Sequence, residues 1–296
     1  MLHGGVRIAV VGDVHLVWDG SDVRLLDAAG YDLILFVGDL AGYGTAGGLA
    51  VARSIATLRT PALVMPGNHD AVTVPQLGAE VFETSDALRD AFAIGMARRV
   101  RRLTRALHPV PLCGYSLHAF AEHALTVLAA RPHSLGGPRL AFRRYLAQQF
   151  GVHTLAESAQ RLCALFDAVP ESHRIVVLAH CGPSGLGTTR DAIYGCDFRA
   201  AQGDWGDSDL AQALAHAQAR GKQVAAVVAG HMHHALRGGG QRTWRVRHAG
   251  IEHVNAARVP RSRRSAHGRE RHHVQLIVGA HGVLVEQIWQ ADTTRN

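Results

Sequence analysis

Five short apolar runs in this chain each end on residues with metal-ligating side chains, and no other feature constrains the fold as tightly. RIAVV at 7–11 leads into Gly12, Asp13, Val14 and His15. LILFV at 33–37 leads into Gly38 and Asp39, and ALVM at 62–65 into Pro66, Gly67, Asn68, His69 and Asp70. Further on, IVVLA at 175–179 leads into His180, and VAAVVA at 224–229 into Gly230, His231, Met232, His233 and His234. Runs this short, rich in small and β-branched residues, read as buried strands rather than helices. Open α/β sheets place their sites at the carboxyl ends of such strands. In a chain with 20 His, a single junction of this kind would carry little weight. The recurrence is what points to metal chemistry, imidazole being the commonest metal-ligating side chain. If the backbone stays extended beyond the fifth run, His231 and His233 face one site and His234 points away, toward the surface or behind the ligands.

The segments between the runs set the fold class. Residues 21–29 read as a short helix stopped by Gly30, a loop at 41–48 holds four glycines, and a helix follows near 49–58. This β-α-β-α-β rhythm is that of a layered α/β fold. It stops at Ala71 and resumes near Arg174. The intervening block, about 71–173, reads as mainly helical. It includes an Arg-rich helix at 87–107, a β pair at 114–118 and 125–130, and a helix near 139–150. Thr154 and Glu157 form a capping box before another helix. We expect one domain spanning 1–296, with 71–173 as an insertion or cap over or beside the sheet. Residues 187–206 read as a long loop whose Arg190, Asp191, Tyr194, Asp197, Arg199 and Trp205 suit a substrate rim. The stretch 258–273 (RVPRSRRSAHGRERHH) reads as an exposed loop, and 274–278 with 283–288 as a terminal hairpin.

Composition excludes several classes. With 47% apolar and 19% charged residues, the chain buries a core and is not disordered. Cys113, Cys163, Cys181 and Cys196 are scattered, with no C-x-x-C pair, which argues against a disulfide framework or a thiolate zinc site and fits a reducing compartment. No apolar run approaches the roughly 18 residues of a membrane span, and the first strand begins too early for a signal peptide. The expectation is a cytoplasmic protein with no membrane partner. The net charge of +7 favours phosphate-bearing partners but is equally the mark of a biased composition.

DVH at 13–15, GD at 38–39, GNHD at 67–70, His180 and GHMH at 230–233 together resemble the calcineurin-like metallophosphoesterase superfamily, in order and strand-end context as well as in letters. The resemblance implies an α/β architecture: a layered β-sandwich flanked by helices, carrying two divalent metal ions. It makes Asp39 the carboxylate that bridges both ions. It assigns Asp13, His15 and His233 to one ion and Asn68, His180 and His231 to the other. It makes His69 the catalytic histidine, which stabilises the transition state or protonates the leaving oxygen, and gives Asp70 the task of orienting its ring. A thiolate-free set of imidazole, carboxylate and amide favours Mn, Fe or Zn. The implied reaction is hydrolysis of a phosphodiester or phosphomonoester by in-line attack of a metal-bridging hydroxide.

Other residues weigh against closer assignments. The protein Ser/Thr phosphatase branch carries GDxxDRG and GNHE, whereas this chain has GDLAGYG and GNHD and lacks the branch's phosphate-binding arginine. Arg131 and His133 follow a strand end and could reach a phosphate, though packing roles suit them better. Cys181 reads as a packed thiol. The alternative from another class is a scaffold with the metallophosphoesterase fold and no catalysis, but such proteins commonly lose ligands that this chain retains. Nucleic-acid binding through the two Arg-rich stretches is a third reading, and it predicts a steep dependence on salt.

Overall fold

Alternate residues of the first strand, β1 (Val6–Val11), serve two different cores. Val6, Ile8 and Val10 pack in an inner layer with Val127, Val176 and Val228, whereas Ala9 and Val11 join an outer layer with Leu26 and Val51. A strand buried on both faces needs an unbroken apolar run, which is why these segments do not alternate with polar residues. The computed structural model describes residues 5–199, 203–266 and 268–291, and these hold two six-stranded sheets and eight α-helices.

After β1 come α1 (Gly20–Ala28), β2 (Leu33–Phe36), α2 (Ala46–Ile55) and β3 (Ala62–Val64). Three helices follow: α3 (Val74–Val81), α4 (Asp86–Phe92) and α5 (Met96–Leu107). The chain then makes β4 (Ser116–Phe120), β5 (Leu125–Ala129), α6 (Arg143–Phe150), α7 (Leu155–Ala168), β6 (Arg174–Leu178), α8 (Ser208–Ala219) and β7 (Val224–Ala229). It ends with β8 (Arg245–His248), β9 (Ile251–Asn255), β10 (Ser262–Ser265), β11 (Gly268–Gly279) and β12 (Gly282–Ala291). In the first sheet β1, β2 and β3 run parallel, and β11 pairs antiparallel with β1, β10 and β12. The second sheet has the order β4-β5-β6-β7-β9-β8, its four central strands parallel and its two edges antiparallel. The inner apolar layer joins the two sheets face to face, and the carboxyl ends of their parallel strands meet at one edge.

The structure departs from the sequence reading in three places. Residues 71–173 do not lie wholly over or beside the sheet, because β4 and β5 are strands of the second sheet, β5 next to its edge and paired in parallel with β6. The helix expected over 87–107 is two helices broken at Gly95, whose φ of 81° is left-handed. The stretch 258–273 is no exposed loop but β10 and the start of β11. Two of its arginines are buried because α1 and its N-cap supply partners: Arg261 pairs with Asp22, and Arg271 with Asp19 at 2.8 Å, whereas Arg263, Arg264 and Arg269 stay exposed. Charge alone marks the whole segment as solvated; pairing is what lets Arg261 and Arg271 go inside. The Thr154–Glu157 capping box opens α7 as expected, with Glu157 N–H donating to Thr154 Oγ1 at 3.1 Å.

Candidate metal centre and its cavity

The chain turns sharply where each strand ends, and the ligand-type residues sit on those turns. His15, Asp39 and His231 have φ of 40°, 50° and 67°, left-handed values that non-glycine residues hold only when their surroundings fix them. The glycines beside them leave no room for a side chain. A Cβ on Gly67 would lie 2.2 Å from Asp39 Oδ1, and one on Gly230 2.1 Å from Asp13 Oδ1. His231 and His233 reach the site through this turn and not through an extended backbone: Met232 N–H donates to Gly230 O at 2.8 Å.

Asp39 stands between two groups of donors. On one side His15 Nε2 lies 3.6 Å from Asp39 Oδ2 and 3.2 Å from His233 Nε2, which is itself 3.4 Å from Asp13 Oδ2. On the other, His180 Nε2 lies 3.7 Å from Asp39 Oδ1 and 2.8 Å from Asn68 Oδ1, and His231 Nδ1 is 2.9 Å from the same amide oxygen. Ligand atoms around one cation at bonds of about 2.0–2.2 Å stand roughly 3–3.5 Å apart, so these spacings fit metal ions. The imidazoles are also turned for it. His15 Nδ1 lies 3.3 Å from Ala41 O, His180 Nδ1 2.8 Å from Val37 O and His231 Nε2 3.0 Å from Leu135 O. Donation of that ring proton to a carbonyl leaves the opposite nitrogen as a lone pair facing the cluster, the usual arrangement around a metal-bound histidine.

Electrostatics describe the same demand for positive charge. Burial works against ionisation of Asp13, yet the hydrogen bond from His233 and the charges of His180, His233 and His15 hold its carboxyl well below the usual range. At Asp39, too, burial is outweighed, chiefly by His180 and His69. Burial depresses His180 and His233, but Asp39 and Asp13 reverse that and raise both. His231, enclosed and next to His180, is pushed down to about 3.

His69 is half-buried, its ring edge-on to His15 and Tyr43 and its Nδ1 3.2 Å from Gly42 O. Asp70 does not orient that ring. Its carboxylate accepts from Gly67 N–H at 2.9 Å and Ala41 N–H at 3.0 Å, clamping the two turns that carry Asn68 and Asp39. Burial and then the charge of Asp39 push Asp70 up to about 6.

A cavity of about 360 Å³ opens beside the cluster, lined by Asp39, Asn68, His69, His231 and His233 at one end. Of the six loop residues expected at a substrate rim, Asp197, Arg199 and Trp205 line it, and Arg190, Asp191 and Tyr194 do not. Arg131 does not reach toward a phosphate: it is 2% exposed and spent on Asp207 and Asp209. His133 is likewise enclosed, between Gly67 O and the Phe142 and Tyr145 rings. His234 is buried against Asn255 O, and Cys181 is packed under Trp205. Arg98, Arg101, Arg102 and Arg105 are exposed on α5.

The sequence model of the calcineurin-like phosphoesterases matches residues 6–235, most of the chain. The protein belongs to this family. Its members are metal-dependent phosphoesterases that in general bind two divalent metals, and at that level this phosphoesterase is a hydrolase acting on phosphate esters. No curated protein sequence matches it. Among solved structures it resembles one described as PhoD, with a TM-score of 0.50 and 10% identity over 97% of this chain and 70% of that one. A dimetal phosphatase from Danio rerio gives 0.49 and 12% over 95% and 98%, and purple acid phosphatase PPD1 from yellow lupin seeds 0.49 and 15% over 98% and 52%. At these identities the likeness concerns the fold. Among the described residues no helix is long and apolar enough to cross a membrane.

Sequence reasoning missed the groups that fix the imidazoles of the candidate site. The carbonyls of Val37, Ala41, Gly42 and Leu135 belong to backbone, which carries no residue signature. Phe198 was missed for a different reason, since an aromatic within a rim loop was a visible signal.

Proposed function

We propose that this phosphoesterase hydrolyses a small phosphate ester at a centre of two divalent ions, with the phosphate held beside Asp39 and the rest of the substrate in the adjoining cavity. The observation that carries the reading is Asp39 itself, each of whose oxygens faces a separate group of nitrogen and oxygen donors. Asp13, His15 and His233 would hold one ion, Asn68, His180 and His231 the other, and Asp39 both. Bound there, the ions would supply Lewis-acid charge for the phosphoryl oxygens and an activated water.

The chain's own groups would do the rest. The backbone carbonyls fix the imidazoles, so little reorganisation accompanies the reaction. His69, with Nδ1–H directed at Gly42 O, keeps Nε2 for the substrate; when both nitrogens carry protons, the one on Nε2 passes to the leaving oxygen. Asp70 would act as a positioning residue through Gly67 and Ala41. A cavity of this size accommodates a metabolite-sized ester.

The test is turnover of bis(p-nitrophenyl) phosphate and p-nitrophenyl phosphate by protein stripped of metal and reloaded with Mn, beside the Asp39→Asn variant. Metal-dependent hydrolysis that disappears in the variant supports the reading, and the preferred ester separates diesterase from monoesterase. Turnover undiminished in Asp39→Asn, or none with any divalent metal, would sink it.

A further inference from the structure

The cavity has a wall that chemistry at phosphorus does not use. Phe198 lies 37% exposed on it, edge-on to Trp205 with ring centroids 5.1 Å apart, and the Arg237 guanidinium sits 5.7 Å from its centroid. Large aromatics are normally buried, and one left half open inside a cavity offers a ligand a flat apolar face. The chain that carries this ring is braced before any ligand arrives. Its neighbour Asp197 accepts from the Arg242 guanidinium at 3.1 Å and from Arg237 N–H at 2.8 Å. Arg242 in turn donates to the carbonyls of Arg190 and Ala192, each at 3.0 Å. Such preorganisation lowers the ordering cost of binding.

Polar groups narrow what the wall accepts. Arg139 and Arg199 share Glu83, and Arg89 pairs with Asp86, so these guanidinium groups already have carboxylate partners. Glu80, on the same cavity, accepts Phe142 N–H through one oxygen at 3.0 Å, and its other oxygen accepts no hydrogen bond from the described residues. It is a ready acceptor for a ring N–H or an amino group.

Resting on the phosphoesterase reading above, we propose that the substrate is a small phosphate ester carrying a planar nitrogen heteroaromatic group, a nucleobase or its like, which stacks on Phe198 while the phosphate lies at the metal centre. Stacking of a base on an aromatic side chain is worth on the order of 5- to 150-fold in affinity.

The test is isothermal titration of the Mn-loaded protein with hydrolysis-resistant phosphonate analogues of adenosine monophosphate and of ribose phosphate, which differ only by the base. The adenosine analogue should bind at least about 5-fold tighter. In Phe198→Ala that ratio should collapse toward one, and in Phe198→Tyr it should persist. Equal affinities in the wild type, failure of the adenosine analogue to bind, or a ratio unchanged in Phe198→Ala would overturn the proposal. Because this readout is binding, a protein that hydrolyses the nitrophenyl esters yet ignores the base would lose this inference and keep the phosphoesterase reading.

Discussion

Acidification from about pH 7.5 to about pH 5 probes how the β10–β11 arm is buried. His272 and His273 are 1% and 2% exposed on β11. Burial first, with the charge of Arg261 at His273 and those of His234 and Arg258 at His272, pushes both down to about 3. The folded protein therefore keeps them neutral across this range, whereas the unfolded chain protonates them near an ordinary value of about 6.5. A proton bound only by the unfolded state favours unfolding. The stability is full above about pH 6.5 and is lost progressively as the pH falls toward the folded value near 3. At about 1.4 kcal/mol per pH unit, each histidine removes about 2 kcal/mol by pH 5 and the pair about 4, against a typical total of about 5–15. His273→Gln deletes one titration and keeps an acceptor for the Tyr31 hydroxyl, which lies 2.7 Å from Nε2. Urea unfolding of the chelator-treated proteins at the two pH values should show the wild type losing about 2 kcal/mol more than the variant. Equal losses would refute the account.

Other outcomes follow from the site and its supports. Asp39→Asn should lower metal affinity by more than the roughly 10–100-fold typical of losing an outer partner, read as stoichiometry and Kd by titration calorimetry. Gly67→Ala, whose new methyl would sit 2.2 Å from Asp39 Oδ1, should fold with an unchanged far-ultraviolet spectrum but bind metal at least about 10-fold more weakly. Arg131→Met leaves Asp207 and Asp209 buried without their cation and should cost about 3–5 kcal/mol, seen as a large fall in the urea midpoint.

How much the sequence reveals depends on the kind of force involved. Apolar runs ending on ligand residues announce β1, β2, β3, β6 and β7, because burial on both faces and a turn at the carboxyl end both leave marks in the residue order. The same is true of Thr154 and Glu157, whose reciprocal capping is local. What stays hidden depends on pairing across long separations. Arg261 and Arg271 read as solvent-facing until Asp22 and Asp19, some 240 residues earlier, are seen beside them. Asp70 is read as the partner of the adjacent His69, whereas its carboxylate is taken by backbone N–H groups of Gly67 and Ala41.

Neither sheet carries the whole centre. Asp13, His15, Asp39 and Asn68 follow strands of the first, and His180, His231 and His233 follow strands of the second. Ions bound there would act as rivets between two half-structures, with the apolar layer of Ile8, Val176 and Val228 as the spacer that sets their separation. Metal supply then becomes a determinant of how long the protein lasts, since each site filled at a hundred times its Kd adds about 2.7 kcal/mol to the folded state. By the same coupling, removing both γ-methyl carbons from the spacer, as in Val176→Ala, would reach bound ions without touching a ligand.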